Sequence, residues 1–396
     1  MSATSSGRGV APRAPIASAP LRVAILLGGL DIGGAETQAI ALAAALQHDG
    51  HTVTMATLAD GPLRSVVESR GLAMHVLPRV AGLALSAVPG LTRFLTTCKP
   101  QVVYAFLEVQ WLLALAAASR LPTAHRPRVV LGLRTSDYDA PPAPLKARVV
   151  RTLARYATPR ADLLIANSHS GLDSYRAFAP EAPAGVVVHN GIDVARFAPS
   201  PSLRAHWRRA WSLPTDATIV GHVGRLHPVK DHELLLHAFS RARVDRRAFH
   251  LVCVGHGEPE RVAALERLAE ALGIASRVHF VGGLVETHTV YPAFDVLALS
   301  SRREGFPNVV AEAMACGVPA VVTDSGASAD IVAEFGEVAP VGDIDAFADA
   351  LSRLLARYSS TLTHDVRTHI VSNFSLGATA SRTAAALQSL FQVNTV

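Results

Sequence analysis

Cysteine, aromatic and charged residues are all scarce in this 396-residue sequence. Its three cysteines, Cys98, Cys253 and Cys316, are odd in number and far apart, which fits neither a disulfide framework nor a metal-binding spacing. We therefore expect a protein of the reducing cytosol. Cys253 falls in an apolar stretch and is predicted to be a buried thiol in a strand. Charged residues make up 17% and hydrophobic residues 49%, a balance that argues against global disorder and allows large cores.

Long apolar runs are also missing. The longest, Trp111 to Ala118, is far shorter than the roughly 20 residues that cross a bilayer. Residues 1–20 are rich in Ser, Ala and Pro and lack the apolar centre of a secretory signal. We interpret them as a disordered tail. The protein is expected to be cytoplasmic, either soluble or peripheral to the cytoplasmic face of the membrane.

A strong excess of one charge sign is absent as well. The net charge of +5 and the pI of about 9.4 reflect a modest basic excess that is spread along the chain. Such an excess suits phosphate-bearing ligands or a membrane surface better than nucleic acid. No RNA- or DNA-binding motif stands out in the sequence, and we expect no nucleic-acid partner.

Short Val, Leu and Ile runs, in contrast, are abundant and alternate with longer amphipathic segments rich in Ala and Leu. This rhythm is typical of βαβ units and parallel sheets, and it restarts near residue 219. The predicted strands are Arg22–Leu27, Thr52–Ala56, Ala73–Leu77, Val102–Phe106, Val129–Gly132, Leu163–Ala166, Val186–His189, Ile219–Val223, His250–Gly255, Val278–Val281, Val296–Ser300 and Ala320–Thr323. The fold class is therefore α/β, with two Rossmann-like domains facing each other across a cleft.

The restart divides the chain. After the tail we predict an N-terminal Rossmann-like domain over residues 21–192, a C-terminal one over 193–374, and a C-terminal helix over 375–396 that crosses back to the first domain. In open α/β sheets, ligands bind beyond the carboxyl ends of the strands. Candidate site residues are therefore sought in the loops that follow strands.

The first such loop runs from Gly28 to Glu36 and contains the pair Gly33 and Gly34. Paired glycines before a helix let backbone N–H groups approach an anion, aided by the helix N-terminus. The loop is neither G-x-G-x-x-G nor a P-loop with its lysine. A tight strand-to-helix turn explains the glycines equally well.

The second loop, Gly221 to Lys230, follows the first strand of the second domain and carries Arg225 and Lys230. Cations near a helix N-terminus are locally unfavourable without an anionic partner. A diphosphate would supply that partner, with arginine as a fork and lysine as a point charge. Two solvated surface cations are the alternative.

The third loop, Glu304 to Glu312, gives the sharpest signal. Gly305 and Pro307 interrupt the chain, and Pro307 is predicted to be the first residue of the next helix. Glu304 then lies in the loop and Glu312 in the second helical turn. They would hold different parts of one extended ligand, with the N–H groups near Asn308 and Val309 at its phosphate. The alternative is a capping carboxylate and a solvent-facing one.

Together these loops resemble those of the retaining family 4 glycosyltransferases ("glycosyl transferases group 1"), which have the GT-B fold. The resemblance covers nearly the whole chain after the tail and rests on five segments in order: Gly33 to Glu36, Asn190 to Asp193, Gly224 to Leu226 with Lys230, Val254 to Gly257, and Glu304 to Glu312. The last is similar to the family's E-x7-E signature.

The resemblance implies roles for these residues. Arg225 and Lys230 would neutralise the leaving diphosphate, with Glu304 as the third catalytic residue at the hydroxyls of the donor sugar. The remaining donor-binding residues would be Gly33, Gly34, Gly224, Gly255, Gly305, Phe306, Pro307, Asn308, Val309 and Glu312, the last at the ribose. The N-terminal domain would bind the acceptor and the C-terminal domain the donor.

The predicted function is retaining transfer of a sugar from a nucleoside diphosphate sugar to a hydroxyl of a saccharide or lipid-linked acceptor, in polysaccharide or glycolipid assembly. The resemblance favours UDP- or GDP-sugar as co-substrate and implies neither a metal nor another cofactor. In place of the histidine that many members carry after the fourth strand, this chain has Tyr104 to Gln110, so Glu108 is the acceptor-side candidate. Asp330 also replaces a common glutamate.

Two other functions fit the same scaffold. A nucleotide-sugar 2-epimerase would bind the donor without an acceptor, and a non-catalytic protein would bind it without reaction. A dinucleotide-dependent dehydrogenase is disfavoured because the G-x-G-x-x-G turn is missing.

Two further patterns are interpreted as ordinary structure. His232 and His237 are five residues apart, whereas HExxH zinc sites need four. The basic segment with Lys146, Arg148, Arg151, Arg155 and Arg160 alternates with apolar residues. We favour a solvated helix face there, with peripheral contact to anionic lipid of the inner membrane as the alternative.

Overall fold

A computed structural model describes residues 19–79, 84–135, 138, 145–243 and 249–392. Most of the predicted tail lies outside the described residues. Within the described residues, no helix combines the length and the apolar character needed to cross a membrane.

The described strands form two separate parallel sheets. The first contains β1 Arg22–Leu27, β2 Thr52–Thr57, β3 Ala73–Val76, β4 Val102–Phe106, β5 Arg128–Leu133, β6 Leu163–Ala166 and β7 Gly185–Val187. The second contains β8 Thr218–Val223, β9 Phe249–Val254, β10 Val278–Phe280, β11 Val296–Leu299, β12 Ala320–Thr323 and β13 Glu337–Ala339.

Helices cover the sheets. Their bounds are α1 Gly34–His48, α2 Arg64–Ser69, α3 Val88–Cys98, α4 Glu108–Ala118, α5 Leu145–Ala157, α6 His169–Phe178, α7 Pro201–Ala210, α8 His232–Arg241, α9 Pro259–Ala271, α10 Asn308–Ala315, α11 Ser328–Val332, α12 Ile344–Arg357, α13 Ser360–Phe374 and α14 Leu376–Ser389.

Both sheets have the strand order of a doubly wound fold. The first runs β3-β2-β1-β4-β5-β6-β7 and the second β10-β9-β8-β11-β12-β13. In each, the order reverses beside the first strand, β1 or β8, which creates a crevice at the carboxyl ends of the strands. The predicted pair of Rossmann-like domains is confirmed.

The strands are almost entirely apolar, which explains why helices cover both faces of the sheets. Residues 23–27 of β1 are all buried, as are all of β4 and β8. Alternate residues point to opposite faces, so Ala24 and Leu26 pack into one core cluster and Val23, Ile25 and Leu27 into another. Burial on both faces is characteristic of parallel sheets covered by helices. Cys253 is 1% exposed within β9, which confirms the predicted buried thiol.

The chain crosses between the domains twice, at neighbouring points. The Ile192 N–H donates to the Phe374 carbonyl at 2.7 Å, and the Leu376 N–H donates to the Ile192 carbonyl at 3.0 Å. Helix α14 then packs against α1, and its Ala380, Ala384 and Leu387 join the N-terminal core. The C-terminal helix therefore crosses back, as predicted. The exact domain boundaries at 192 and 374 stay predictions.

Three local predictions were wrong. The strand predicted at Val186–His189 is Gly185–Val187, because the chain leaves the sheet edge at Val188. Strand β13 was missed, since its three residues Glu337–Ala339 carry too short a pattern. Pro307 is not the first helical residue: its ψ of 89° is non-helical, so it caps α10, which begins at Asn308.

Candidate functional site

The candidate site lies where the loops after β1, β8 and β11 meet in the interdomain cleft. Each loop follows a strand next to the point where its sheet reverses, so the three loops leave the carboxyl ends of the two sheets. Most of the residues selected from the sequence lie on these loops.

Lys230 and Glu304 are brought into direct contact. The Lys230 Nζ donates to Glu304 Oε1 at 2.6 Å, although 74 residues separate them. Neighbouring bonds fix this geometry: the Ser300 hydroxyl donates to the Lys230 carbonyl at 2.8 Å, and the Arg302 N–H donates to the Val229 carbonyl at 2.8 Å. Both charged side chains are largely shielded, at 19% and 12% exposure. The pair is a partly desolvated charge centre.

Gly224 adjoins Lys230, and Gly255 packs against Gly224. A Cβ at Gly224 would lie 3.7 Å from Lys230 Cε, so the residue adjoins the lysine. A Cβ at Gly255 would lie 1.9 Å from the Gly224 carbonyl oxygen, which only glycine avoids. Arg225 is exposed, and within the described part of the chain its guanidinium forms no ion pair with an acidic side chain. Its guanidinium is therefore available to a ligand.

The start of α10 faces the N-terminal domain. The Asn190 amide nitrogen donates to Asn308 Oδ1 at 2.9 Å, which joins the two domains. A Cβ at Gly34 would lie 3.6 Å from Asn308 Nδ2, so the first glycine loop meets the same helix end. Gly33 caps α1 and accepts from Thr37 N–H at 3.0 Å. The N-termini of α1 and α10 thus approach each other, which suits an anion between them.

The loop between Glu304 and α10 is held by both domains. The Gly305 carbonyl accepts from the Ala327 N–H at 2.9 Å, and a Cβ at Gly305 would lie 3.1 Å from the Arg134 carbonyl oxygen. Phe306 and Pro307 are buried, while Val309 is half-buried. The backbone here is preorganised rather than free.

Glu312 is hydrogen-bonded to a tyrosine of its own domain. Its Oε2 accepts from the fully buried Tyr291 hydroxyl at 2.5 Å. Burial raises the pKa of the Glu312 carboxyl, partly offset by this hydrogen bond. One carboxylate oxygen is thus bound by Tyr291, and Oε1 is the one that would meet a ligand.

Glu108 begins α4 directly after β4. Its Oε1 lies 3.9 Å from Arg151 Nε on α5, and both side chains are shielded. The preceding Leu107 has φ 68° and ψ 160°, a combination that is costly for a residue with a Cβ. Such strain is concentrated at functional sites, which keeps this turn a candidate for the acceptor side.

Sequence reasoning missed Arg134, which supports Asn190 from within the N-terminal domain. Arg134, which follows β5, donates from Nη1 to Asn190 Oδ1 at 3.2 Å and also bonds the Tyr104 hydroxyl. Its guanidinium carbon lies 4.4 Å from the centre of the Phe106 ring. Its position at the carboxyl end of a strand could have marked Arg134 as a candidate. A single arginine in the sequence, however, does not indicate which residue it will bond.

Two family models match the chain. The model described as "Glycosyltransferase Family 4" matches residues 32–196, and the one described as "Glycosyl transferases group 1" matches residues 217–357. The two matches fall on the two sheets in turn. The predicted resemblance is therefore confirmed over both domains.

Individual relatives agree with the models. The D-inositol 3-phosphate glycosyltransferase of Mycolicibacterium smegmatis is 32% identical over 254 residues, which are 62% of this chain and 56% of that protein. The chain thus spans little more than half the length of this relative.

Solved structures share the architecture. Anabaena HepE in complex with UDP-glucose has a TM-score of 0.76 at 21% identity, covering 93% of this chain and 100% of that one. A glycosyltransferase from Rickettsia africae ESF-5 has a TM-score of 0.78 at 15% identity, covering 94% and 99%. At such identities the likeness establishes the GT-B fold alone.

Proposed function

Because this chain belongs to the family 4 glycosyltransferases of the GT-B fold, we propose that it transfers a sugar from a nucleoside diphosphate sugar to a hydroxyl group with retention of configuration. The observation that carries this proposal is the cleft charge centre. Lys230 contacts Glu304 beside the N-terminus of α10, and Gly34 approaches that helix from the other domain. A cation, a helix end and a glycine loop form a receptor for a diphosphate.

The relatives suggest the donor. HepE was solved with UDP-glucose, and the mycobacterial relative acts on an inositol phosphate by its name. We propose a UDP-sugar as the donor, with a GDP-sugar as the alternative. A saccharide, an inositol-type polyol or a lipid-linked sugar would be the acceptor, as in polysaccharide or glycolipid assembly in the cytoplasm.

In the proposed reaction, the acceptor oxygen bonds to the anomeric carbon on the face from which the diphosphate leaves. The bond between that carbon and the phosphate oxygen breaks, and the departing phosphate takes the acceptor's proton. Lys230, Arg225 and the α10 N-terminus stabilise the negative charge on the leaving group. These groups supply the charge that a metal would otherwise provide. Glu304 orients the sugar hydroxyls.

Product analysis tests this proposal. Nucleoside diphosphate sugars are ranked by the rise in melting temperature, and the best is incubated with saccharide, polyol and lipid-linked acceptors. We expect release of the nucleoside diphosphate and a product whose anomeric configuration, measured by NMR coupling constants, equals that of the donor. Formation of an epimerised donor without transfer would support the 2-epimerase instead. Binding without turnover of any donor would support the non-catalytic alternative.

We also propose that α5 rests on a membrane surface. Leu145, Val149, Leu153 and Tyr156 are 73%, 51%, 51% and 70% exposed. At 3.6 residues per turn they share a face about 80° wide. Apolar residues on an exposed face, with cations on its flanks, favour lipid contact over the solvated face expected from the sequence.

The flanking cations complete this surface. Lys146 and Arg148 are exposed on either side of the apolar stripe. Arg151 is half-buried over the Tyr138 ring, and Arg155 is exposed with its guanidinium over the Phe178 ring. Cations beside an apolar stripe reach anionic head groups while the stripe enters the interface. An acceptor carried by the membrane would then be presented near Glu108, which Arg151 contacts.

Vesicle co-sedimentation tests this surface. The double variant Val149→Ser/Leu153→Ser should lose most binding to vesicles of phosphatidylglycerol and phosphatidylcholine. Val285→Ser removes an even more exposed apolar residue elsewhere, at 89% exposure, and should bind like wild type. Equal sedimentation of all three proteins, or none by wild type, would reject membrane contact.

A further inference from the structure

A second polar cluster lies between the domains. His169 begins α6, His189 follows β7, and Asp330 belongs to α11 of the other domain. One ligand atom from each lies within 4.8 Å of the others, and within the described residues this is the one such group of three or more. The positions are 20 and 141 residues apart, so no sequence spacing reveals them.

The hydrogen bonding of His189 places its free ring nitrogen opposite a carboxylate oxygen. Its Nδ1 lies 2.9 Å from the Asn167 carbonyl oxygen, which only accepts, so Nδ1 is inferred to carry the hydrogen. In the neutral ring Nε2 then presents a lone pair, and it lies 3.9 Å from Asp330 Oδ2. Two acceptors that face each other are stabilised by a cation between them.

Two aromatic rings hold the His189 imidazole in this orientation. Its ring centroid lies 5.7 Å from that of Phe306 and 5.5 Å from that of Phe374.

We propose that His169, His189 and Asp330 bind a divalent transition-metal ion that bridges the two domains. Two imidazoles and one carboxylate suit Zn²⁺ or Co²⁺, whereas Mg²⁺ and Ca²⁺ prefer oxygen ligands. The Nδ1 hydrogen bond to a carbonyl is the usual outer support of a metal-binding histidine. Zn²⁺ bonds of about 2.0–2.2 Å require the three ligand atoms to draw closer, which the exposed His169 side chain permits.

The consequence would be a tether across the cleft. Asp330 lies on α11, and the residue before this helix, Ala327, bonds the Gly305 carbonyl of the donor loop. A metal held jointly with His189 would therefore restrain the loop that carries Glu304 relative to the first domain. The bridging ion takes no part in bond making at the proposed transfer site.

Metal titration of untagged protein tests the proposal without any sugar donor. Calorimetry with Zn²⁺ should show one site per chain, and Co²⁺ should give visible absorption bands of a low-coordinate site. His169→Ala and Asp330→Asn should each weaken binding at least about tenfold. Both side chains are at the surface, so equal melting temperatures in EDTA will establish that the variants fold.

The matched control is His48→Ala, since His48 is an exposed histidine whose Nδ1 lies 3.5 Å from Asp49 Oδ1. It should bind Zn²⁺ like wild type. Binding that survives His169→Ala, or its absence in wild type, would overturn the site. Binding lost in His169→Ala but unchanged in Asp330→Asn would overturn the bridge, and a Zn²⁺-dependent rise in melting temperature that Asp330→Asn abolishes would support it.

Discussion

At the scale of single residues, two ion pairs of equal length have very different surroundings. Lys230–Glu304 and Arg241–Asp345 both measure 2.6 Å between nitrogen and oxygen. The first pair is 19% and 12% exposed and the second 46% and 79%. Exposed pairs contribute little because water screens them. The shielded pair stands in the cleft, where the same charges act far more strongly.

Replacing Lys230 should therefore reduce transfer more than binding. In Lys230→Met the cation at the leaving diphosphate is lost, and we expect kcat to fall by roughly 10²–10³, the scale of one lost oxyanion donor. Steady-state kinetics with the best donor measure it. Arg241→Gln removes the exposed pair and should leave kcat unchanged.

Glu304→Gln separates the contribution of the side chain's shape from that of its charge. It keeps the side-chain shape but removes the charge, and turnover should drop on the same scale as in Lys230→Met. If Glu304→Gln kept near-normal turnover, the carboxylate would have no part in the reaction.

Arg208 gains a structural explanation that the sequence lacked. It is 3% exposed and donates to Asp295 Oδ2 at 2.8 Å and to the carbonyls of Ala293, Thr215 and Ala217. Arg208→Met would remove these bonds and leave the Thr215 and Ala217 carbonyls without this donor, while Asp295 keeps Arg204 and the Ile219 N–H. We therefore expect a loss of about 1–3 kcal/mol in the free energy of unfolding.

The neighbouring Arg209 is exposed and provides the control. Arg209→Met should change the unfolding free energy by no more than about 0.5 kcal/mol. Urea denaturation of the two variants measures the difference. Equal stability would show that the Asp295 network is not what holds α7.

A site residue could be selected from the sequence where its own segment has a recognisable pattern. Lys230, Glu304 and Asn308 stand in loops with breakers, and Asn190 belongs to the linker segment. Arg134 has no such local pattern, and its bond to Asn190 across 56 residues forms only when the N-terminal domain folds. The bond between Asn190 and Asn308 across 118 residues could not be predicted either, because it requires the two domains to be oriented.

At the scale of elements, the double crossing near Ile192 is tightly packed. A Cβ at Gly191 would lie 2.9 Å from Leu376 Cδ2 and 3.0 Å from Leu376 Cα. Because one of these atoms is backbone, the two crossings would have to move apart. The spacing of the domains therefore depends on a glycine at this position.

Gly191→Ala should destabilise the protein by about 1–3 kcal/mol, the usual cost of overpacking. Gly377→Ala is the matched control, since a Cβ there meets nothing within 4 Å. It lies within α14 and should be neutral or stabilising by up to about 1 kcal/mol. Calorimetric melting of both variants decides: an unchanged melting temperature in Gly191→Ala would contradict the packing described.

The strands were predictable because burial on both faces forces continuous apolar runs. β1, β4, β6 and β12 match their predicted bounds. The edge strands β7 and β13, each of three residues, were misplaced or missed. An edge strand buries less surface, so its sequence carries less of the pattern.

At the scale of the whole molecule, the residues of the candidate site come from both of the two similar domains. The C-terminal domain supplies Lys230, Glu304 and α10, while the N-terminal domain supplies Gly34 and Asn190. The presence of two similar domains was visible in the sequence as a restarted rhythm, whereas the strand order was not. The contacts between the halves were not, because they depend on α14 and on the linker packing together.

A crystal structure with the nucleoside diphosphate sugar that raises the melting temperature most tests the central claim directly. We predict the diphosphate between Gly34 and the N-terminus of α10, within hydrogen-bond reach of Lys230 Nζ, and the sugar hydroxyls at Glu304. A nucleotide bound outside this cleft, or one whose diphosphate contacts neither Lys230 nor α10, would contradict the account.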